Sequence, residues 1–347
     1  MKKNNRRLAI VGIVLFLAHN VYAADDIQAR VSSLEKKLES PLVKKVMDAN
    51  LNAGGYLQAY YGWFEENSDT DSFEIRRLFV ALSGELDEDI AFKAQVDAAA
   101  STDILRDGWV QYKGVPGVSI KFGQFKIPFS QEQLTSASKL DTIIRSRVVT
   151  ALSYGRDIGI MLEAEAMDKA VSYEAAIVNG SGRNASDTNE NKDIIARVVV
   201  VPFKDNNNSL KDLRAGLSFQ RGRQALSGTD EGHRERYGAL LAYANDKFKI
   251  NSEYLYQDLE QIDRSSIYSD GWYITGTYKI SDIFQGVVKF ERYDLNRKIG
   301  ADEEDVITLG VNIFAVKDVL IQANYRIKTE QVRVDNDEFL LQAQVEF

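Results

Sequence analysis

From Asn50 to Phe347, apolar and polar residues change places in run after run. Ile90, Phe92, Ala94, Val96 and Ala98 share one parity, and Lys93, Gln95 and Asp97 share the other. Ile158, Ile160, Leu162, Ala164 and Ala166 alternate in the same way with Asp157, Glu163 and Glu165. Val319, Ile321, Ala323, Tyr325 and Ile327 alternate with Gln322, Asn324, Arg326 and Lys328. Successive side chains of a strand point to opposite faces, so each run is a ribbon with one apolar and one polar side. The pattern predicts strands over 50–63, 73–85, 89–99, 104–113, 117–127, 156–166, 170–179, 192–202, 211–221, 234–245, 247–258, 268–280, 284–294, 304–315, 318–329 and 337–347, sixteen in all. Their usual length of about ten residues is what a tilted strand needs to cross a bilayer.

The connections carry separate information. Glu85–Glu88, Gly114–Pro116, Met167–Lys169, Asn245–Asp246, Ser281–Ile283 and Val316–Lys317 are tight turns. They alternate with longer polar stretches such as Glu65–Ser72, Gly180–Asn191, Gly222–His233, Leu259–Ile267 and Leu295–Glu303, while Lys204–Leu210 is longer than its place predicts. Short periplasmic turns and longer extracellular loops alternate in this way in outer-membrane barrels. A soluble sandwich, the alternative for alternating strands, leaves the loop lengths unexplained. The fold expected is all-β: a 16-stranded antiparallel transmembrane β-barrel with a short N-terminal helical or coiled-coil segment. Tyr56, Tyr60, Tyr61, Trp63, Trp109, Tyr112, Tyr243, Tyr254, Tyr256, Trp272 and Tyr293 fall mostly near strand ends, where an aromatic belt would sit.

Both ends of the chain fit export to an outer membrane. Phe339, Leu341, Ala343, Val345 and Phe347 alternate with Leu340, Gln342, Gln344 and Glu346. The run resembles the C-terminal sorting signal read by the outer-membrane barrel assembly machinery, and Phe347 is its expected assembly residue. Lys2, Lys3, Arg6 and Arg7 precede the apolar run Leu8–Ala18, and Val21-Tyr22-Ala23 suits a signal peptidase. Residues 1–23 are thus an expected signal peptide. An N-terminal anchor is the alternative, but the apolar run is about half of the ~20 residues a spanning helix needs. Within 24–49, Ile27, Val31, Leu34 and Leu38 form a short heptad seam that Pro41 closes. This periplasmic segment is either an amphipathic helix on the end of the barrel or a small coiled coil gathering several protomers. The barrel domain then occupies 50–347.

Composition narrows the function classes. The chain has no cysteine, so an exported product cannot be stapled by disulfides. Cleavage of the leader takes four positive charges off the formal net charge of −8 and leaves −12. Such acidity argues against nucleic-acid binding. It does not argue against a barrel whose loops and lumen are polar.

Three stretches carry a family resemblance. They are Phe73-Glu74-Ile75-Arg76-Arg77-Leu78-Phe79-Val80, Phe92-Lys93-Ala94-Gln95-Val96-Asp97 and Phe122-Gly123-Gln124-Phe125-Lys126-Ile127-Pro128-Phe129-Ser130. Together they resemble the phosphate-selective (O/P-type) outer-membrane porins of Gram-negative bacteria, the last being the most specific. The similarity extends from Gly54 to Phe347. It implies a trimeric sixteen-stranded porin for passive diffusion of small hydrophilic solutes, often anions such as phosphate. Two departures bear on selectivity. Ser153-Tyr154-Gly155-Arg156 lacks the proline of the family's Pro-x-Arg element, and the mature chain is acidic.

Segment 128–155 is the longest connection and the place where function is expected to concentrate. Leu134, Leu140, Ile143, Ile144, Val148 and Val149 are too apolar for a solvated loop. Folded into the lumen, the segment would bury them and narrow a bore that is otherwise wide. Lys126, Lys139, Arg145, Arg147 and Arg156 outnumber Glu132, Asp141 and Asp157 on and around it. Arg77, Lys93, Lys113 and Lys121 add charge at lumen parity on nearby strands. These nine are the candidate constriction and anion-binding residues, because cations in a narrow low-dielectric pore lower the barrier for anions. Residue by residue, the plainer alternative is transverse salt bridges to Asp97, Glu163, Glu165, Glu174 and Glu253. A non-selective or cation-leaning general porin, or a barrel serving as adhesin or scaffold, also remains open.

An enzymatic site needs a nucleophile beside a base. The mature chain keeps one histidine, His233, in an expected loop, and has no Gly-x-Ser-x-Gly elbow. No cofactor is expected, and no ligand spacing marks a metal site. The acidic tips Glu65, Glu66, Asp69 and Asp71, and Asp302–Asp305, are either solvated or bridged by divalent cations to lipopolysaccharide. Lipid, lipopolysaccharide, the assembly machinery, further copies of the chain and small anions are the expected partners.

Overall fold

The computed structural model describes residues 50–347 apart from 66–69, 188, 205–208, 228–229, 262–264, 301 and 330–335. The expected signal peptide and heptad segment lie outside the described residues. The strands are β1 (Asn52–Phe64), β2 (Ser72–Glu85), β3 (Ile90–Asp97), β4 (Leu105–Val115), β5 (Val118–Lys126), β6 (Arg156–Ala166), β7 (Val171–Val178) and β8 (Asp193–Val200). They continue as β9 (Arg214–Ser227), β10 (Asp230–Ala244), β11 (Phe248–Glu260), β12 (Ser266–Lys279), β13 (Phe284–Asp294), β14 (Glu303–Val316), β15 (Val319–Thr329) and β16 (Glu338–Glu346). Each pairs antiparallel with its sequence neighbours, and β1 pairs with β16 to close a sixteen-stranded barrel. Pro116, Pro128 and Pro202 all lie in connections, where a missing N–H breaks no ladder bond. Gly117 takes φ +75° in the Pro-Gly turn between β4 and β5, a conformation that favours glycine.

Burial is inverted relative to a water-soluble protein. Gln58, Gln220 and Thr308 are 0% exposed, whereas Phe73 is 84% exposed and Phe122 and Leu217 are 64% exposed. Along β16, Glu338, Leu340, Gln342 and Gln344 face the lumen while Phe339, Leu341, Ala343 and Val345 face outward. The outward set is the apolar parity of the sequence pattern, and a surface this greasy requires lipid around it.

Three expectations change. β9 and β10 run through most of the stretch expected to be the loop Gly222–His233, with His233 paired to Arg223 and Arg234 to Gly222. Backbone pairing continues there after the apolar alternation has ended, because polar side chains suffice beyond the bilayer. His233 is therefore a strand residue. The connection between β8 and β9 spans 201–213 rather than 204–210, with turns at 209–212 where strand had been expected to begin. Tyr56, Tyr60, Trp109 and Tyr293, expected in the aromatic belt, face inward; Arg76 lies over the Tyr60 ring, and Trp109 lies under Lys121, whose Nζ is 4.9 Å from the ring centroid.

Phe122 is the central residue of β5 and points outward. Phe122→Arg should destabilise the folded barrel in lipid vesicles by about 2–4 kcal/mol, read as a shift in urea unfolding.

Candidate functional site

The connection from β5 to β6, residues 127–155, contains two short helices, α1 (Gln131–Leu134) and α2 (Arg147–Leu152), with a 3-10 turn at Ala137–Lys139 between them. Val148, Val149 and Leu152 of α2 pack with Phe125, Ile127, Phe129, Met161, Leu255, Tyr273 and Tyr293 in one apolar cluster. Of the apolar residues that looked out of place in a loop, Val148 and Val149 are buried in this cluster, Leu140 and Ile143 are buried outside it, and Leu134 and Ile144 are half-buried. Their burial against inward-facing wall residues holds the segment inside the barrel.

Its main chain is gripped by uncharged amides on the inner wall. Gln58 Nε2 donates to Ala137 O at 3.2 Å, Gln344 Nε2 to Ser138 O at 3.1 Å, and Gln322 Nε2 to Leu140 O at 3.1 Å. Asn312 Nδ2 donates to Asp141 O at 3.0 Å, and Ile143 N donates to Asn324 Oδ1 at 2.8 Å. At α1 the anchor is a carboxylate instead. Glu253 of β11 accepts from Ser130 Oγ at 2.9 Å, Gln131 N at 2.7 Å, Glu132 N at 3.0 Å and Tyr273 Oη at 2.8 Å. Glu132 in turn accepts from Ser146 N at 2.8 Å, tying α1 to the start of α2. Burial raises the Glu132 carboxyl above its usual range, against the pull of Lys289.

Between this segment and the inner faces of β1–β6 lies a cavity of about 500 Å³. Its charged lining consists of Arg76, Arg77, Lys93, Arg106, Lys126, Arg145, Arg156 and Arg183 against Asp97 and Asp107, eight cations to two carboxylates. Lys126 Nζ is held by the carbonyls of Gln133, Leu134 and Thr135 at 2.9–3.0 Å. Arg145 bonds to the carbonyls of Glu132 and Thr135, and Arg77 to Gln58 Oε1 at 2.9 Å. Carbonyl oxygens orient these cations without neutralising them. Burial, reinforced by Arg77 and Arg156, pulls the Arg145 guanidinium down to about 10, so it stays charged at neutral pH. Arg156 follows Gly155, whose φ is +88°; a Cβ there would approach Gln133 Nε2 to 2.4 Å. Glycine thus occupies a backbone turn next to the site where the family's proline is absent.

Of the nine basic residues read from the sequence, Arg77, Lys93, Lys126, Arg145 and Arg156 line this cavity. The other four sit elsewhere in ion pairs: Lys139 with Glu346 at 2.9 Å, Arg147 with Glu304 at 2.7 Å, Lys113 with Glu85 at 2.6 Å and Lys121 with Glu163 at 2.8 Å. Arg76, Arg106 and Arg183 were missed. Arg183 lies in the connection between β7 and β8. Arg76 and Arg106 are each the extra residue of a β-bulge, Arg76 opposite the Gln58/Ala59 step and Arg106 opposite Gln95/Val96. The sequence did carry a signal. Outward apolar residues change parity from Phe73 and Ile75 to Leu78, Val80 and Leu82, and again from Leu105 to Val110 and Tyr112. His233 lies outside this cavity, its ring nitrogens each 3.1 Å from a carboxylate of Asp258 or Glu260.

A closed sixteen-stranded barrel with an apolar exterior and a charged lumen is the architecture of an outer-membrane porin. The family model for phosphate-selective porin O and P matches residues 48–347, and the chain belongs to that family. No curated protein sequence matches it. Among solved structures, an anion-selective porin from Comamonas acidovorans is 11% identical with a TM-score of 0.67, covering 86% of this chain and 100% of that one. A loop-deletion mutant of OmpT, an outer membrane protein of Vibrio cholerae, is 15% identical with a TM-score of 0.65, covering 86% and 99%. The outer membrane channel DcaP of Acinetobacter baumannii is 12% identical with a TM-score of 0.63, covering 86% and 97%. At these identities the likeness extends to the fold. The protein is an outer-membrane porin channel.

Glu253→Ala would strip four donors of their acceptor at one end of the loop. It should loosen the α1 anchor by about 1–3 kcal/mol and appear in planar bilayers as a noisier open-channel current.

Proposed function

We propose that this porin is an anion-leaning channel for small hydrophilic solutes, phosphate among them, narrowed by the inward-folded segment 128–155. The observation that carries the reading is the cavity beside the segment, where eight cations face two carboxylates in a chain whose net charge is negative. Low-dielectric walls strengthen such a field, and arginine forks and a lysine ammonium bond directly to oxyanions. The conducting role rests on Arg76, Arg77, Arg106, Lys126, Arg145 and Arg156, with Lys93. Lys113, Lys121, Lys139 and Arg147 act mainly through their ion pairs, although only Lys121 pairs with an acid that the plainer reading named, Glu163.

The same reading includes the setting. Phe347 would present the terminal strand to the assembly machinery, and the apolar exterior would meet lipid and lipopolysaccharide. A homotrimer is proposed by analogy, since OmpT of Vibrio cholerae has been solved in a trimer form. No catalytic step enters it.

The triple variant Arg76→Gln/Arg77→Gln/Arg145→Gln should lower the chloride-to-potassium permeability ratio on the order of tenfold, moving the reversal potential in a KCl gradient toward cations. A reversal potential equal to that of the unaltered protein would remove this cluster from selectivity.

A further inference from the structure

Asp107 of β4 is placed where a passing anion would be held. Its Oδ2 lies 2.7 Å from Lys93 Nζ on β3, and its Oδ1 lies 2.7 Å from Arg156 Nε on β6. One carboxylate therefore spans two cations, at the distances that a phosphate or carboxylate solute adopts on ammonium and guanidinium groups. The other acid of the cavity is committed differently. Asp97 holds Arg106 and also accepts from the backbone N–H groups of Leu78 and Ala99. Among the described residues, the hydrogen bonds of Asp107 go to the two cations.

We infer that Asp107 is a tethered counter-anion that sets how long a solute stays. The inference rests on the anion-channel reading and adds residence time to it. A pore must bind its ion strongly enough to admit it and weakly enough to let it go. With Asp107 in place, an entering anion exchanges with a carboxylate already bound to Lys93 and Arg156, so occupancy gains little free energy and release is fast. Without it, the two cations present an empty bidentate site, and a multivalent oxyanion would lodge there.

The test is single-channel chloride current in planar bilayers, with inorganic phosphate added as blocker. Asp107→Asn should bring phosphate block to about tenfold lower concentration, with longer closed dwells, as expected when charged hydrogen bonds are freed for the solute. Asp107→Glu, which keeps the carboxylate, should block as the unaltered protein does. Folding is checked by the heat-dependent shift in electrophoretic mobility. Lys93→Gln/Asp107→Asn removes one charge of each sign and serves if the single variant does not fold. Arg156 is then still unpaired, so block should still strengthen, though less. Phosphate block unchanged or weakened in Asp107→Asn, or in Lys93→Gln/Asp107→Asn where only that variant folds, would overturn the inference. An unaltered protein without anion preference in a KCl gradient would overturn the channel reading itself. Anion preference with unchanged block would remove only the role of Asp107.

Discussion

A chain that crosses hydrocarbon as strands has to pair every main-chain donor and acceptor within the protein, because lipid tails offer no partner. Only a closed ladder does this, and the closure falls between β1 and β16. Their register runs from Tyr56 opposite Glu346 to Phe64 opposite Glu338. Gly55 and Phe347 then exchange two backbone bonds of 2.9 and 3.0 Å below it. A Cβ at Gly55 would sit 2.0 Å from Phe79 O and 3.0 Å from the Phe347 ring. The seam therefore depends on close backbone approach as well as on hydrogen bonding.

Closure turns one face of every strand toward water and crowds polar groups into the lumen. There, charges survive burial by pairing: Lys289 with Glu291 at 3.1 Å, Arg326 with Glu291 at 3.3 Å, and Arg197 with Glu174 at 2.5 Å. Between Ala137 and Ile143 the segment joining β5 and β6 is held by neutral amides, which can grip the main chain without a charge to compensate, while α1 is anchored by the Glu253 carboxylate. The cation excess is left on the opposite side of the segment, toward β1–β6. Net charge said nothing about this local field, since −8 belongs to the whole chain and the cavity to a few side chains.

Strand positions were legible almost residue by residue where the bilayer imposes alternation, as in β6 and β13, whose bounds match the periodicity. They were not legible where that constraint stops. The upper halves of β9 and β10 pair through polar residues such as Arg221, Arg223, His233 and Glu235, which alternate without an apolar face. The bulges at Arg76 and Arg106 stood in the sequence as slips of apolar parity among strongly alternating residues. A single such slip reads as noise until the partner strand shows a residue unopposed.

The sequence by itself determined the barrel, its number of strands and the unusual character of one loop, because those follow from local alternation and composition. Which basic residues share a cavity was decided only by tertiary structure. Lys93, Asp107, Lys126, Arg145 and Arg156 lie on four strands and a loop, and their distances depend on register, bulges and the path of the loop. Lys121 and Lys126 are five residues apart in one strand, yet one is paired with Glu163 and the other is cradled by loop carbonyls. Periodicity assigns a side chain to a face; only packing assigns it a neighbour.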